Sequence, residues 1–253
     1  MRVALAQARL HWRDPRQNRA HLADLLCGQS GQADLVVLPE TFTTGFLGDE
    51  ADAEDMQGPT VAWMRALAAE LDAVVTGSAV IEDGGRYNRL LWVAPDGAVQ
   101  HYDKRHLFAH AGEDRRYVAG TERRVFNYRG WRVCPQICYD IRFPVWCRNR
   151  NDYDLLLVVA NWPTARAAAW RSLLQARAIE NQAYVAAVNR VGEDGNGKAY
   201  PGISVVFDPL GEALVELEKE EAVAGVSINL EHLRTVRAEL PFHREADDFE
   251  LKP

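Results

Sequence analysis

Arg132-Val133-Cys134-Pro135-Gln136-Ile137-Cys138-Tyr139-Asp140-Ile141-Arg142-Phe143-Pro144 is the stretch from which the rest of the chain can be read. Its first six residues form a short apolar run bounded by polar turn residues, the pattern of a buried strand. Pro144 then marks the start of a helix, because its fixed φ suits the first helical position. A strand that turns into a helix is the unit of an open α/β sheet, and such sheets place reactive groups at their strand ends. Downstream, Leu155–Val159 reads as a second buried strand and Tyr184–Val188 as a third. Between them Ala165–Asn181 reads as a helix, with Trp170, Leu173, Leu174, Arg177 and Ala178 spaced along one face.

The same alternation runs upstream. Val3–Ala6 and Leu35–Leu38 read as strands around a helix near Gln17–Leu26; Thr60–Leu71 reads as a helix and Ala73–Val80 as the next strand. Tyr87–Val93, Ala98–Asp103 and Val125–Tyr128 are strands set off by turn signals at Asp83-Gly84-Gly85 and Pro95-Asp96-Gly97. Near the C-terminus, Ser204–Phe207, Ala213–Leu217 and Val223–Ile228 read as strands joined by hairpin-like turns at Asp208-Pro209-Leu210-Gly211 and Lys219-Glu220-Glu221. Many strands, a few amphipathic helices and hairpins predict an α/β fold of two mixed sheets covered by helices. No linker or repeat divides the 253 residues, so one domain over 1–253 is expected. The segment from Pro241, with acidic Glu245, Asp247, Asp248 and Glu250, lacks periodicity and is expected to lie over the surface or a partner.

With 29 basic and 36 acidic residues the chain carries a formal charge of −7, and at 47% hydrophobic it has the composition of a globular protein. That balance argues against nucleic acid as a partner, which needs a positive field; Arg115, Arg116, Arg123 and Arg124 are the one candidate basic patch. The longest apolar stretch, Leu155–Ala160, is far short of the ~18–20 residues that span a bilayer, so no membrane partner is expected. The N-terminal apolar run breaks too early for a signal peptide. Cys27, Cys134, Cys138 and Cys147 are too few for a disulfide framework, and free thiols in a reducing cytoplasm are expected.

Three residues at strand ends carry chemical interest. Cys138 closes the strand 132–137 at the turn into a helix, where a nucleophile points into a cleft and backbone N–H groups can receive an oxyanion; a free Cys is otherwise a small buried hydrophobe. Cys27, Cys134 and Cys147 keep that plainer reading. Glu40 ends Leu35-Val36-Val37-Leu38-Pro39-Glu40, and a carboxylate partly desolvated at a sheet mouth can act as a general base rather than begin a loop. Lys104 ends Ala98–Asp103. It is either a surface charge or a cation beside a thiol, lowering its pKa and later holding an oxyanion.

Taken together, these segments come in a recognisable order. Leu38-Pro39-Glu40, Tyr102-Asp103-Lys104-Arg105-His106-Leu107 and Ile137-Cys138-Tyr139-Asp140-Ile141-Arg142-Phe143-Pro144 each sit at a strand end. With Val159-Ala160-Asn161-Trp162-Pro163, Arg177–Tyr184 and Asn189-Arg190-Val191-Gly192, the whole chain resembles the nitrilase, or carbon–nitrogen hydrolase, superfamily. The resemblance implies Glu40 as general base, Lys104 as oxyanion cation and Cys138 as nucleophile. It implies a second acid at Glu113, with Asp114 adjacent, a four-layer α-β-β-α sandwich, a homodimer, and no metal or organic cofactor.

Cys138-Tyr139-Asp140-Ile141-Arg142-Phe143-Pro144 and Asn161-Trp162-Pro163 are most similar to the ω-amidase branch. That likeness implies hydrolysis of the terminal amide of short dicarboxylate monoamides (2-oxoglutaramate, 2-oxosuccinamate) through a Cys thioester. A far carboxylate needs a cation, for which Arg142 and Arg166 are candidates, and Trp162, Phe42 and Tyr139 are candidate walls. A nitrilase proper, a carbamoylase or a deaminated-glutathione-type amidase is the alternative within the superfamily. Outside it, His106-Leu107-Phe108-Ala109-His110 has the spacing of a helical zinc pair, although Leu107 stands where an H-E-x-x-H motif has its Glu. A non-catalytic binding module has no use for the Glu, Lys and Cys together. Arg177 and Glu180, one helical turn apart on an apolar stripe, are expected to form a buried ion pair that organises the core.

Overall fold

Side chains alternate across a strand, and that alternation builds the layers of this protein. The computed structural model describes residues 1–46 and 53–251. In β1 (Arg2–Gln7) Val3 and Leu5 join one apolar cluster while Ala4 and Ala6 join a second. The same split recurs in β2 (Leu35–Val37) and β4 (Arg86–Val93), where Leu35, Val37, Leu90 and Trp92 face one side and Val36, Leu91 and Val93 the other. The second cluster fills the space beneath α1 (Pro15–Leu25) and α2 (Pro59–Leu71), through Leu22, Val61, Met64, Leu67 and Leu71. The first is shared with a second sheet.

Each sheet has six strands. The first runs β14-β1-β2-β3-β4-β5, with β3 at Val74–Glu82, β5 at Val99–Asp103 and β14 at Ala222–Ser227. The second runs β13-β12-β9-β8-β7-β6. Its strands are β6 (Phe126–Tyr128), β7 (Trp131–Ile137), β8 (Leu155–Ala160), β9 (Tyr184–Asn189), β12 (Val205–Phe207) and β13 (Ala213–Glu216). The strands β1, β2 and β3 pair in parallel, as do β7, β8 and β9, with antiparallel strands completing both sheets. Short α3 (Pro144–Cys147) and long α4 (Ala167–Asn181) connect the second parallel set, and Trp170, Leu174 and Ala178 of α4 pack into its core. Helices therefore cover the outer faces of two sheets, the α/β sandwich that was expected.

Two sequence readings need correction and two elements went unread. The turn at Lys219-Glu220-Glu221 is no hairpin: β13 lies in the second sheet and β14 pairs with β1 in the first, so the chain crosses between sheets there. The helix expected from Ala165 begins as a 3₁₀ turn, Thr164–Arg166, before α4. The unread elements are the small hairpin of β10 (Val191–Glu193) with β11 (Ala199–Pro201) and α5 (Leu230–Glu239). α5 is capped by Asn229, whose side chain accepts from the N–H groups of Glu231 and His232. From Pro241 the chain runs over its own surface, where Arg150 lies over the Phe249 ring and Leu251 packs on the core.

Candidate active site

The strand ends of the two sheets meet at a buried polar centre. Glu40, three residues beyond the end of the β2 pairing to β3, has no exposed surface, and neither does Glu113. Between them the Lys104 ammonium, just past β5, lies 2.9 Å from Glu40 Oε1 and 2.8 Å from both oxygens of Glu113. Further donors reach both carboxylates. Asn88 Nδ2 donates to Glu40 Oε1 at 2.9 Å, the Asn161 N–H to Glu40 Oε2 at 2.7 Å, and the Phe108 N–H to Glu113 Oε2 at 2.6 Å. Asn161 also donates through its amide to the Glu40 carbonyl and the Thr41 hydroxyl. Two carboxylates so held have no rotational freedom to spare.

Cys138 opens a 3₁₀ turn, Cys138–Arg142, and its backbone sits at φ +47°, in the left-handed region that a non-glycine residue rarely adopts. Thr41, next to Glu40, is also left-handed at φ +39°. Both sharp turns are fastened. The Asp140 carboxylate accepts from the Ile137 N–H (3.0 Å), the Tyr102 hydroxyl (2.8 Å) and both the N–H and Nδ1 of His106 (2.9 and 2.8 Å). Asp140 thus ties the turn of Cys138 to residues two before and two after Lys104. Arg177 donates to the Ile141 carbonyl from the other side and pairs with Glu180 at 2.7 Å. Arg177 is buried but Glu180 is exposed, so the pair is not the buried one expected, and it is Arg177 that holds the turn of Cys138.

Burial, then the charge of Glu40 and its hydrogen bond with the thiol, push Cys138 well above the usual cysteine range; Lys104 pulls the other way and is outweighed. The expectation that a neighbouring cation lowers this thiol is therefore corrected: the cation is there, but two carboxylates accompany it. Burial works against the Lys104 charge, yet Glu113 and Glu40 hold its pKa well above the ordinary lysine value. Glu113 is raised by its burial against the pull of Lys104. Such a centre can hold a neutral thiol beside a proton acceptor and keep an ammonium ready for developing negative charge.

The thiol and ammonium form the floor of a cavity of about 360 Å³. Tyr139, Arg142, Trp162 and Arg166, all named from the sequence, line it, and Phe46, Phe108, His110, Asn161, Lys198 and Tyr200 join them. Arg142 lies over the Trp162 ring at 4.7 Å and Arg166 over Phe108 at 5.1 Å. Phe42 is a correction. It is fully buried below Glu40, packs 5.7 Å from Trp63, and is absent from the cavity wall. Glu113, not the exposed Asp114, meets Lys104. Cys134 is buried within β7, its thiol pushed up to about 11 by burial.

His106 and His110 form no helical pair: the first is held by Asp140 and stacked 3.7 Å from Phe143, the second sits on a short 3₁₀ turn. Among the described residues no cluster of three His, Cys, Asp or Glu groups could hold a metal. Arg123 is engaged by Asp152 and by the carbonyls of Trp146 and Arg148, and Arg124 pairs with Glu122, so the candidate basic patch loses two members. Sequence reasoning passed over Lys198 and Tyr200, although Asp194-Gly195-Asn196-Gly197 is a hairpin signal that places both residues at the cavity.

The family model of the carbon–nitrogen hydrolases matches residues 2–238. The chain belongs to that family. It is a hydrolase acting on carbon–nitrogen bonds. Among curated relatives it is 47% identical to "Omega-amidase YafV" of Yersinia enterocolitica, over 99% of this chain and 98% of that one. It is 33% identical to the 2-oxoglutaramate amidase of Bacillus subtilis (strain 168), over 94% of this chain and 95% of the relative. Among solved structures, XC1258 from Xanthomonas campestris is a CN-hydrolase superfamily protein with an arsenic adduct in its active site. It matches with a TM-score of 0.97 at 52% identity, covering 100% of this chain and 99% of that chain. No helix among the described residues is long and apolar enough to cross a membrane.

Proposed function

We propose that this hydrolase is an ω-amidase, cleaving the terminal amide of short dicarboxylate monoamides of the 2-oxoglutaramate type to acid and ammonia. One observation carries the reading. Arg142, Arg166 and Lys198 surround the cavity above Cys138, and no carboxylate lines it among the described residues. Such a wall favours a substrate whose far end is an anion, and guanidiniums stacked on Trp162 and Phe108 are preorganised to hold it. The relatives named omega-amidase and 2-oxoglutaramate amidase support the same substrate class.

In this reading Cys138 attacks the amide carbon as Glu40 takes its proton. Negative charge moves to the carbonyl oxygen, where the Lys104 ammonium and the Tyr139 N–H receive it; losing one such donor typically costs ~3–4 kcal/mol of barrier. Glu113 keeps Lys104 charged and aimed. Glu40 then protonates the departing nitrogen, ammonia leaves, and water activated by the same carboxylate cleaves the thioester. No step needs a metal or an organic cofactor. All described cysteines are free, which suits a reducing cytoplasm, and the enzyme works as one domain assembled into homodimers.

The test is a substrate panel scored by ammonia release. The wild type turns over 2-oxoglutaramate and 2-oxosuccinamate faster than a carbamoyl amino acid, a nitrile or a neutral amide of equal length, and Cys138→Ala abolishes this while Cys134→Ala does not. Rapid nitrile turnover with no 2-oxo monoamide turnover would remove the reading. Sedimentation measures the dimer.

A further inference from the structure

A second cavity, of about 400 Å³, lies at the other end of the second sheet. Gly130 and Arg132 border it at the start of β7, and Asp154 just before β8, whereas Cys138 and Asn161 follow the far ends of those same strands. A seven-residue strand separates the two sites by roughly 20 Å. Arg234 and Arg237 of α5 and Arg244 and His243 of the following 3₁₀ turn close the cavity.

Its charge is unbalanced. Four guanidiniums face one carboxylate, in a protein whose net charge is −7. Arg132 grips Asp154 through Nε at 3.0 Å and Nη2 at 2.7 Å, and Arg237 reaches the same carboxylate at 3.1 Å. Asp154 is thereby used up. Arg234 and Arg244 hold no carboxylate among the described residues and are exposed at the cavity rim. His243 Nδ1 is buried without a hydrogen-bond partner. Burial and the charges of Arg237 and Arg244 hold that imidazole below its usual pKa.

We propose that this cavity is a second binding site, for a small dianion of the phosphate or dicarboxylate class. Two unpaired planar forks converging from different elements are the geometry that binds such oxygens bidentately. A bound dianion offsets the excess charge, gives His243 a partner, and bridges the C-terminal elements to the starts of β7 and β8. It therefore stabilises the fold without touching the catalytic pocket.

The experiment follows thermal unfolding with inorganic phosphate in one arm and succinate in another, each against sodium chloride of equal ionic strength. In the wild type at least one dianion, at tenfold excess over its Kd, raises Tm by about 3–6 °C. Which arm responds distinguishes the sources. The double variant R234A/R244A loses that part of the shift, binding about tenfold more weakly for each arginine removed, and keeps its amidase kcat/KM. The His243 ring, followed by NMR, titrates at higher pH once the dianion is bound. Equal shifts in wild type and double variant, as general exclusion of phosphate from the surface would give, overturn the proposal. So does the absence of any shift over chloride.

Discussion

A thiol enclosed with two carboxylates and one ammonium has its protonation decided by the count of charges around it. Ionising Cys138 would place a third anion in a centre where Lys104 is already shared by Glu40 and Glu113. In the proposed mechanism Cys138 therefore rests as a neutral thiol, and its proton leaves only as the substrate carbon takes the electron pair. This separates a general-base mechanism from a preformed thiolate–cation pair, and the sign of one substitution tells them apart. Glu40→Gln removes the charge and the hydrogen bond that raise the thiol, so the Cys138 titration, followed by thiolate absorbance or alkylation rate, should move down from its elevated position towards the ordinary ~8.5. Turnover should nonetheless fall by about 10²–10⁴, the usual worth of a general base. A thiol more easily ionised in a slower enzyme is the expected outcome. An unchanged or raised titration, or a near-normal kcat, would contradict the role given to Glu40.

At the level of elements, the site depends on how closely β2 and β3 approach beneath Glu40. Gly77 of β3 faces the chain just before Pro39: a Cβ there would come within 2.7 Å of Leu38 Cβ and 3.0 Å of the Phe42 ring. Phe42 thus packs beside the chain that carries Glu40 without lining the cavity. Gly77→Ala should destabilise the fold by about 1–3 kcal/mol, the usual penalty for overpacking, and lower kcat more than it alters KM, because Glu40 moves while the cationic wall does not. Melting and steady-state kinetics on one preparation check both halves, and a stability loss with unchanged kcat would detach Gly77 from the site. The strands themselves were readable because Leu35-Val36-Val37 and Leu155–Ala160 are apolar runs buried on both faces. Phe42 was misread because an aromatic two residues from a carboxylate has the same signature whether it walls a cavity or packs beneath it. Asn88 gave no signal at all: a polar residue in mid-strand reads as solvent-facing unless the carboxylates it serves are known.

Across the whole molecule, the two sheets repeat one plan: an antiparallel edge strand, three parallel strands, then two antiparallel ones. No repeat shows in the sequence, because such a plan needs only matching apolar periodicity. For the same reason the crossover from β13 to β14 read as a hairpin: a short polar loop between two apolar runs does not say which sheet comes next. Glu40 follows β2 and Asn161 follows β8, equivalent places in the two halves, and Asn161 donates to both the side chain and the carbonyl of Glu40. The centre thus lies where the halves meet, in an acidic molecule that must admit an anion. Distance decides which charge the substrate feels. Arg142 and Arg166 line the cavity itself, well within the ~8–10 Å Debye length near 0.1–0.15 M salt, whereas any exposed charge farther off than that length is largely screened. Raising salt from 0.1 to 1 M shortens that length to ~3 Å and should raise KM for a 2-oxo monoamide severalfold with kcat unchanged. Below 0.01 M, where the length reaches ~30 Å, the net charge of −7 acts at range and the dependence should flatten. A neutral amide run alongside should show neither effect, and Arg142→Ala should reduce the slope for the anionic substrate. If KM for the monoamide instead falls as salt rises, repulsion from the whole molecule outweighs the cavity wall, and the cations named here do not hold the substrate.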